Sequence, residues 1–366
     1  MKSDQKPGNF LKKKKRKRKA KVWLTVLMVF VALIAEAALL LYGYLHKKYQ
    51  QVYVEQPPAV EWTEDYEETV QANKGFQDRM EEAIQQEQLE ERTAIKAKGE
   101  IVRDRDVINI LLIGTDERTA GEYSENARGD ACMLMSVNTD GDVPVISLVS
   151  MERGMGVPIL DGPYEGQWDW LTHTFRYGGG ELLVKEVSEC FKVDVEYYVR
   201  VNFKVLEKAV DALGGVTVSF DEAEAEAFRG MGLETAVVGN NHLDGVMALQ
   251  YARLRYIDSD WVRIQRQREI VISALKSCQN KSLEELNTLI DTILPMVKTN
   301  IPELKMAELM MLLPIVKTAK TQQMTIPVQG SYGHMTGMGG RSLFAVDFET
   351  NAQILHEFLY EPKLED

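Results

Sequence analysis

The sequence predicts an α/β fold: a three-layer α-β-α domain with a central mixed sheet, preceded by one transmembrane helix and a helical stalk. Three observations carry that expectation. Val22 to Leu45 is a 24-residue stretch, apolar but for Thr25 and Glu36, set directly behind a block of lysines and arginines. Val107 to Arg118, "VINILLIGTDER", opens with an unbroken apolar run that reads as a strand buried on both faces. Beyond it, strand-like and helix-like segments interleave, as they do when helices cover a sheet.

Taken in order, residues 1–21 form a basic tail with eleven basic residues and one acid, a local +10. The whole chain of 366 residues carries −12, so the remainder carries −22. A body that acidic excludes nucleic acid as a partner, because neutralising phosphates needs a basic surface. Residues 22–45 are long enough to span a bilayer core. The cationic block beside them places the tail in the cytoplasm and everything after Leu45 outside, a single-pass cell-membrane protein. No small-x-small site precedes Gln50, so the span reads as an uncleaved anchor rather than a signal peptide. Residues 46–105 read as an extracytoplasmic stalk. Pro57-Pro58 stops any helix there, and Glu64 to Lys98 is polar enough for a solvated helix.

The body divides into a core, residues 106–281, and a C-terminal part, residues 282–366, that completes the same domain. Ala131 to Met151 reads as two strands around an Asp140-Gly141 hairpin. Gly179 to Phe191 has Leu182, Leu183, Val187 and Phe191 at helical spacing. "VEYYVRVNF" alternates like a strand, and "KVLEKAVDALGG" is a helix closed by glycine. Ser282 to Lys320 reads as helical, with "QMTIPVQ" and "FAVDFETNAQILHEFLY" as the last elements. "GHMTGMGG", Gly333 to Gly340, reads as a mobile turn, too loose for a phosphate loop. Cys132 lies in an apolar run and reads as core; a Cys132–Cys190 bridge is open, and no Cys/His spacing suggests zinc.

"YARLRYIDSDWVRIQRQR", Tyr251 to Arg268, contains five arginines and no lysine. A short helix begins at Asp244, a good N-cap residue, and ends before this run does. Extended backbone there puts Arg253 and Arg255 on one face. From Asp260 the chain is helical again, with Trp261, Ile264, Val271 and Leu275 on one stripe. Arg263 and Gln267 sit at its margin and point into a cleft; Arg266 lies further round and Arg268 on the other flank. A site gripping a multi-oxygen anion prefers the bidentate guanidinium fork, whereas a solvated face could use lysine anywhere. The alternative, arginines paired with Asp258, Asp260 and the acidic surface, stays open.

Asp116 ends the first buried strand and Asp130 precedes the second. On neighbouring strands both acids reach one sheet edge, where two carboxylates plus substrate phosphates could hold magnesium; the alternative is that both merely cap turns. The chain lacks G-x-S-x-G, H-E-x-x-H, G-x-x-x-x-G-K-[ST] and G-x-G-x-x-G. Paired acids and an arginine cluster without a marked nucleophile fit direct phosphoryl transfer, in which positioning and electrostatics do the work.

Together, "NILLIGTDER", "ARGDACMLMSVN", "VSMER", "FRYGGGELLVKEV", "VEYYVRVNF", "VDALGGVTV", "HLDGVMALQYARLRY" and "DSDWVRIQRQR" resemble the LytR-CpsA-Psr family of bacterial cell-wall enzymes, in its order and spacing. The resemblance implies an enzyme that takes an anionic glycopolymer from a polyprenyl-pyrophosphate carrier and joins it to a peptidoglycan sugar through a phosphodiester, with Mg2+. It implies Asp116 and Asp130 as metal ligands. It also implies Arg118, Arg128, Arg153, Arg253, Arg255, Arg263 and Gln267 as the pyrophosphate site, with Arg153, Arg255 and Arg263 catalytic. The prenyl tail would lie in the apolar core between sheet and helices. Three departures stand out. Gly154 follows Arg153 where the family usually has Asp, which leaves Glu152 as a substitute acid; Gly129 replaces a serine; Thr172, beside His173, replaces an asparagine. They raise a second expectation, a weakly catalytic or non-catalytic carrier-binding regulator of envelope assembly.

Overall fold

The computed structural model describes residues 41–50, 96–117, 123, 127, 129–255, 257 and 259–362. The basic tail, the span as far as residue 40, the stalk from 51 to 95, Arg118, Arg128 and Asp258 lie outside the described residues. Residues 41–50 are helical within a unit of their own, residues 1–51. Among the described residues no helix is long and apolar enough to cross a membrane.

The second unit holds twelve strands and eight α-helices among its described residues. In chain order they are β1 (Val107–Thr115), β2 (Gly129–Asn138), β3 (Val145–Met151), β4 (Gly156–Pro158), β5 (Trp168–Trp170), α1 (Leu171–Phe191), β6 (Tyr197–Asn202) and α2 (Phe203–Leu213). There follow β7 (Val216–Phe220), α3 (Glu222–Gly230), β8 (Gly239–Leu243), α4 (Gly245–Arg253), α5 (Asp260–Gln279) and α6 (Leu283–Ile293). Last come β9 (Lys298–Thr299), α7 (Glu303–Met311), β10 (Lys320–Ile326), β11 (Tyr332–Thr336), β12 (Ser342–Val346) and α8 (Phe348–Tyr360).

Six strands form one sheet in the order β10-β3-β2-β1-β6-β9. β1 pairs parallel with β6 and β3 with β10; the β1–β2, β2–β3 and β6–β9 pairs are antiparallel. The sheet is therefore mixed, as the sequence predicts. Alternation along the strands sorts side chains to two faces. Leu111, Ile113, Cys132, Leu134, Val149 and Met151 join one core with α1 and α8. On the other face, Ser150 donates to the Ile264 carbonyl of α5, so α5 lies across β3. A second core, built from Val210, Val218, Phe220, Phe228, Leu243, Tyr251 and Ile270, ties β7, β8, α3 and α4 to α5. Burial of these apolar side chains, at about 25 cal/mol per Å², is the main force holding the layers together.

Three expectations need correction. The helix read from Gly179 begins at Leu171; it bends at Gly178-Gly179, where Gly179 has φ 65° and ψ −158°, backbone that only glycine adopts freely. The stretch Ser282 to Lys320 is not continuous helix. Ser282 caps α6 through a capping box, but β9 pairs with β6 and short 3-10 turns surround it. Gly333 to Gly340 is no mobile turn, because its first half is β11, paired with β12 from Tyr332↔Val346 to Thr336↔Ser342. Cys132 and Cys190 are both buried free thiols, so no bridge joins them.

Candidate active site

Strands β1, β3, β6 and β10 run the same way, so their carboxyl ends and the start of β2 share one edge, where open α/β sheets bind ligands. Thr115 pairs with Gly129, and the acids that follow them, Asp116 and Asp130, flank that pair on neighbouring strand ends. Asp116 is exposed and Asp130 half-buried. The predicted sharing of one edge holds. Glu152 and Arg153 leave the end of β3 at the same edge, and Asn202 ends β6 there, its side chain capping α2 by accepting from the Val205 amide.

The five arginines of the run divide into two groups. Asp244 caps α4 as expected, and the helix delivers Arg253 at its last turn, exposed and 4.9 Å from the Phe203 ring centroid. Leu254 leaves the helix with extended backbone, and Arg255 after it is also exposed. Arg263, expected at a cleft margin, is instead only 1% exposed. It forms an ion pair with Asp260 at 2.7 Å, yet none of its three guanidinium nitrogens makes an aligned hydrogen bond among the described residues. Burial lowers its pKa, Asp260 opposes that, and the nearby Arg255 and Arg153 charges add to it. Arg153 is half-buried, its guanidinium 5.4 Å from the Trp170 ring centroid. Arg253, Arg255, Arg263 and Arg153 thus converge on the acidic edge.

Arg266 and Arg268 do not. Arg266 donates to Glu224 at 2.5 Å and to the Leu254 carbonyl at 3.1 Å. Arg268 donates to Gln323, the Met324 carbonyl and Thr325, all within 2.8 Å, and so clamps α5 to β10. Both are satisfied struts. The alternative of acid pairing holds in part: Arg263 pairs with Asp260, as that reading named, and Arg266 pairs with the buried Glu224 rather than with the acidic surface.

Behind the edge lies an almost wholly apolar cavity of about 250 Å³ between the sheet and α2, α4 and α5. Leu112, Met133, Val201, Val205, Leu206 and Val271 form its walls, and Asp130, Arg253 and Gln267 line it too. Gln267 additionally donates to the Ala252 carbonyl at 3.4 Å. An apolar slot opening onto a guanidinium cluster suits a ligand with a hydrocarbon tail and an anionic head.

Glu152 is the residue that sequence reasoning reached only through the family. It is 2% exposed and accepts a hydrogen bond from the Gly154 amide. Burial raises its pKa to about 7, against the lowering effect of that amide and of Arg153 and Arg263. A Cβ at Gly154 would lie 3.1 Å from its carboxylate and 3.4 Å from the Phe344 ring, so a side chain at 154 competes with Glu152 for space. Gly129 has a similar cause: a Cβ there would stand 3.2 Å from Phe175 and 3.4 Å from the Thr172 carbonyl, where α1 presses on β2.

Among the described residues no cluster of three or more His, Cys, Asp or Glu could form a complete metal cage. Two hard carboxylates at one strand edge still fit magnesium, which keeps waters and takes further oxygens from substrate phosphates. Arg118 and Arg128 lie outside the described residues.

The sequence profile of the LytR_cpsA_psr family matches residues 67–358. The chain belongs to this family. The polyisoprenyl-teichoic acid–peptidoglycan teichoic acid transferase TagU of Oceanobacillus iheyensis is 30% identical to it over 244 residues, 64% of this chain and 71% of the relative. TagT of Bacillus subtilis, given the same transferase description, is 32% identical over 233 residues, 62% and 70% of the two chains. Among solved structures, TagT bound to LIIa-WTA aligns with a TM-score of 0.54 at 27% identity, covering 74% of this chain and 96% of that one. A LytR-CpsA-Psr architecture thus accounts for the mixed sheet and for the edge at which the acids and arginines meet.

Proposed function

We propose that this chain is a membrane-anchored transferase that moves an anionic glycopolymer from a polyprenyl-pyrophosphate carrier to a hydroxyl of peptidoglycan. One observation carries the reading: the buried Arg263 guanidinium makes no aligned hydrogen bond among the described residues and sits in an arginine cluster at the acidic end of an apolar cavity. A buried guanidinium with one ion pair and no aligned hydrogen bond is costly, and phosphate oxygens would supply the missing acceptors. The prenyl chain fills the cavity, and Arg153, Arg253, Arg255, Arg263 and Gln267 hold the pyrophosphate. They stabilise the charge that gathers on the departing prenyl phosphate as the new bond forms. Asp116 and Asp130 would hold Mg2+, which supplies charge neutralisation on the pyrophosphate when bound. The relatives' transferase names support the reaction class. The basic tail and the span of residues 22–45 keep the enzyme beside a donor that stays in the bilayer.

The test uses the full chain in nanodiscs with a polyprenyl-pyrophosphate-linked disaccharide and nascent peptidoglycan fragments, with and without Mg2+. The expected product is a phosphodiester adduct by mass spectrometry, lost in Arg263→Ala. Donor binding without any adduct would instead identify a carrier-binding regulator, the reading that Gly154 raises.

A further inference from the structure

Opposite the cavity stands a second polar cluster that nothing above uses. Asp169, on β5, is 0% exposed. Its carboxylate accepts from the Trp170 amide at 2.8 Å, from Arg341 at 2.7 Å and from the Tyr177 hydroxyl, and faces His173 Nδ1 at 3.3 Å. Burial alone would raise the Asp169 pKa, but the His173, Tyr177 and Arg341 partners hold it below the ordinary carboxylate value. Asp169 is therefore a fixed anion that keeps the proton of a neutral His173 on Nδ1. That leaves Nε2 as an acceptor, and His173 Nε2 makes no hydrogen bond among the described residues. The His173 side chain keeps 17% of its surface open. Its ring centroid lies 4.7 Å from that of Trp170, the ring on which the Arg153 guanidinium rests. Thr172, next to it, donates to the Arg153 carbonyl at 3.3 Å.

Position gives the pair its meaning. The cavity lies on the sheet face covered by α2, α4 and α5, lined by Leu112, Gly114, Ala131 and Met133. The α1 helix, which carries His173, covers the other face, with Leu111, Ile113, Cys132 and Leu134. Arg153 stands between them at the edge. In phosphoryl transfer the attacking and leaving oxygens lie roughly in line. A leaving prenyl phosphate on the cavity side therefore calls for an acceptor arriving from the α1 side.

We infer that His173, held by Asp169, is the general base that takes the proton from the acceptor sugar hydroxyl. The inference rests on the transferase reading. As the acceptor O–P bond forms, the phosphoanhydride P–O bond breaks and its electron pair leaves with polyprenyl monophosphate. The hydroxyl proton passes to His173 Nε2. The arrangement follows the logic by which a buried carboxylate orients an imidazole base.

Charged and titratable groups around His173 are Asp169 from β5, Tyr177 from its own helix, Arg341 from the β11–β12 connection and Arg153 from the end of β3. The test is the kcat/KM pH profile of the full chain with the disaccharide donor and peptidoglycan fragments, for wild type, His173→Gln and His173→Ala with added imidazole. A general base contributes about 10²–10⁴-fold. His173→Gln is expected to lose at least about a hundredfold in kcat with donor Kd within twofold, and to lose the acid limb. Imidazole is expected to restore part of the His173→Ala rate. Turnover of His173→Gln within threefold of wild type, acid limb intact, overturns the inference alone; loss of that limb in Glu152→Gln instead assigns the base to Glu152. Wild type that binds donor but never turns over overturns this inference and the transferase reading together.

Discussion

Arg263 and Arg266 are three residues apart on one helix, each 1% exposed, and they do opposite things. Arg266 has Glu224 and the Leu254 carbonyl, and its guanidinium lies 5.8 Å from the Tyr251 ring centroid. Glu224 is itself committed: one oxygen caps α3 by accepting from the Asp221 amide, the other takes Arg266. Arg263 has an ion pair with Asp260 and no aligned hydrogen bond among the described residues. A buried guanidinium whose hydrogen bonds are made is a strut; one that keeps donors uncommitted can grip the oxygens of an anion. Burial of a charge alone therefore says nothing of function. Satisfaction does.

Crossed substitutions sharpen this contrast most. Arg266→Met leaves Glu224 buried and unpaired, and is expected to cost about 3–5 kcal/mol of stability. Arg263→Met removes a buried charge that makes no aligned hydrogen bond among the described residues, and its ion-pair partner Asp260 is exposed enough to be hydrated, so the melting temperature is expected to hold or rise. Its transfer rate should fall by about 10²–10³-fold, the usual cost of losing one preorganised donor. Calorimetry and an adduct assay on both variants decide it. Equal losses of melting temperature would break the comparison, because Arg263 would then be a strut as well.

How much of this was legible depends on what the neighbours of each residue are. β1 could be read from its unbroken apolar run, and Asp116 and Asp130 from their places at strand ends, because strand chemistry is local. Asp244 announced α4 through its capping role. The split within the arginine run was not legible. An apolar stripe on α5 fixes only one buried face, but β7, β8 and α3 cover another, which is why Ile270 and Arg266 are buried together. The first turns of α1 were missed because Gly178-Gly179-Gly180 reads as a helix end, and the bend that rescues continuity needs tertiary support. β11 reads as a loose turn in the sequence because Gly333 within it, and Gly337, Gly339 and Gly340 just after it, interrupt any alternation. Pairing with β12 makes the strand. Asp169 and His173 lie on either side of that misread helix start, so their contact could not be seen.

Arg268 extends the comparison to a strut of moderate effect. Its three partners all belong to β10, an edge strand that pairs only with β3 in the central sheet. Arg268→Met is expected to cost about 2 kcal/mol, the scale of hydrogen bonds from a charged donor. Hydrogen exchange should rise in β10 first, with donor affinity unchanged. A loss of donor affinity comparable to that of Arg263→Met would move Arg268 into the site.

The mildest substitution, an isosteric one, concerns the acid among these arginines. Glu152 is buried, and its pKa stands at about 7 rather than near 4.5. A carboxyl whose pKa is raised on folding holds its proton more tightly in the folded state. Stability is therefore greatest below the unfolded value and falls as pH climbs from about 4.5 through 7, by at most about 3 kcal/mol. Glu152→Gln should accordingly raise the melting temperature at pH 8 and leave it nearly unchanged at pH 4. Binding should move the same way. Below pH 7 a neutral Glu152 leaves the arginine charges less compensated, so donor affinity should rise on the order of tenfold between pH 8 and pH 6. Calorimetric titration of the glycan donor into Glu152→Gln should give affinity independent of pH across that range. If the substitution leaves the slope intact, the carboxyl does not balance the arginine cluster, and Arg263 is set against Asp260 alone.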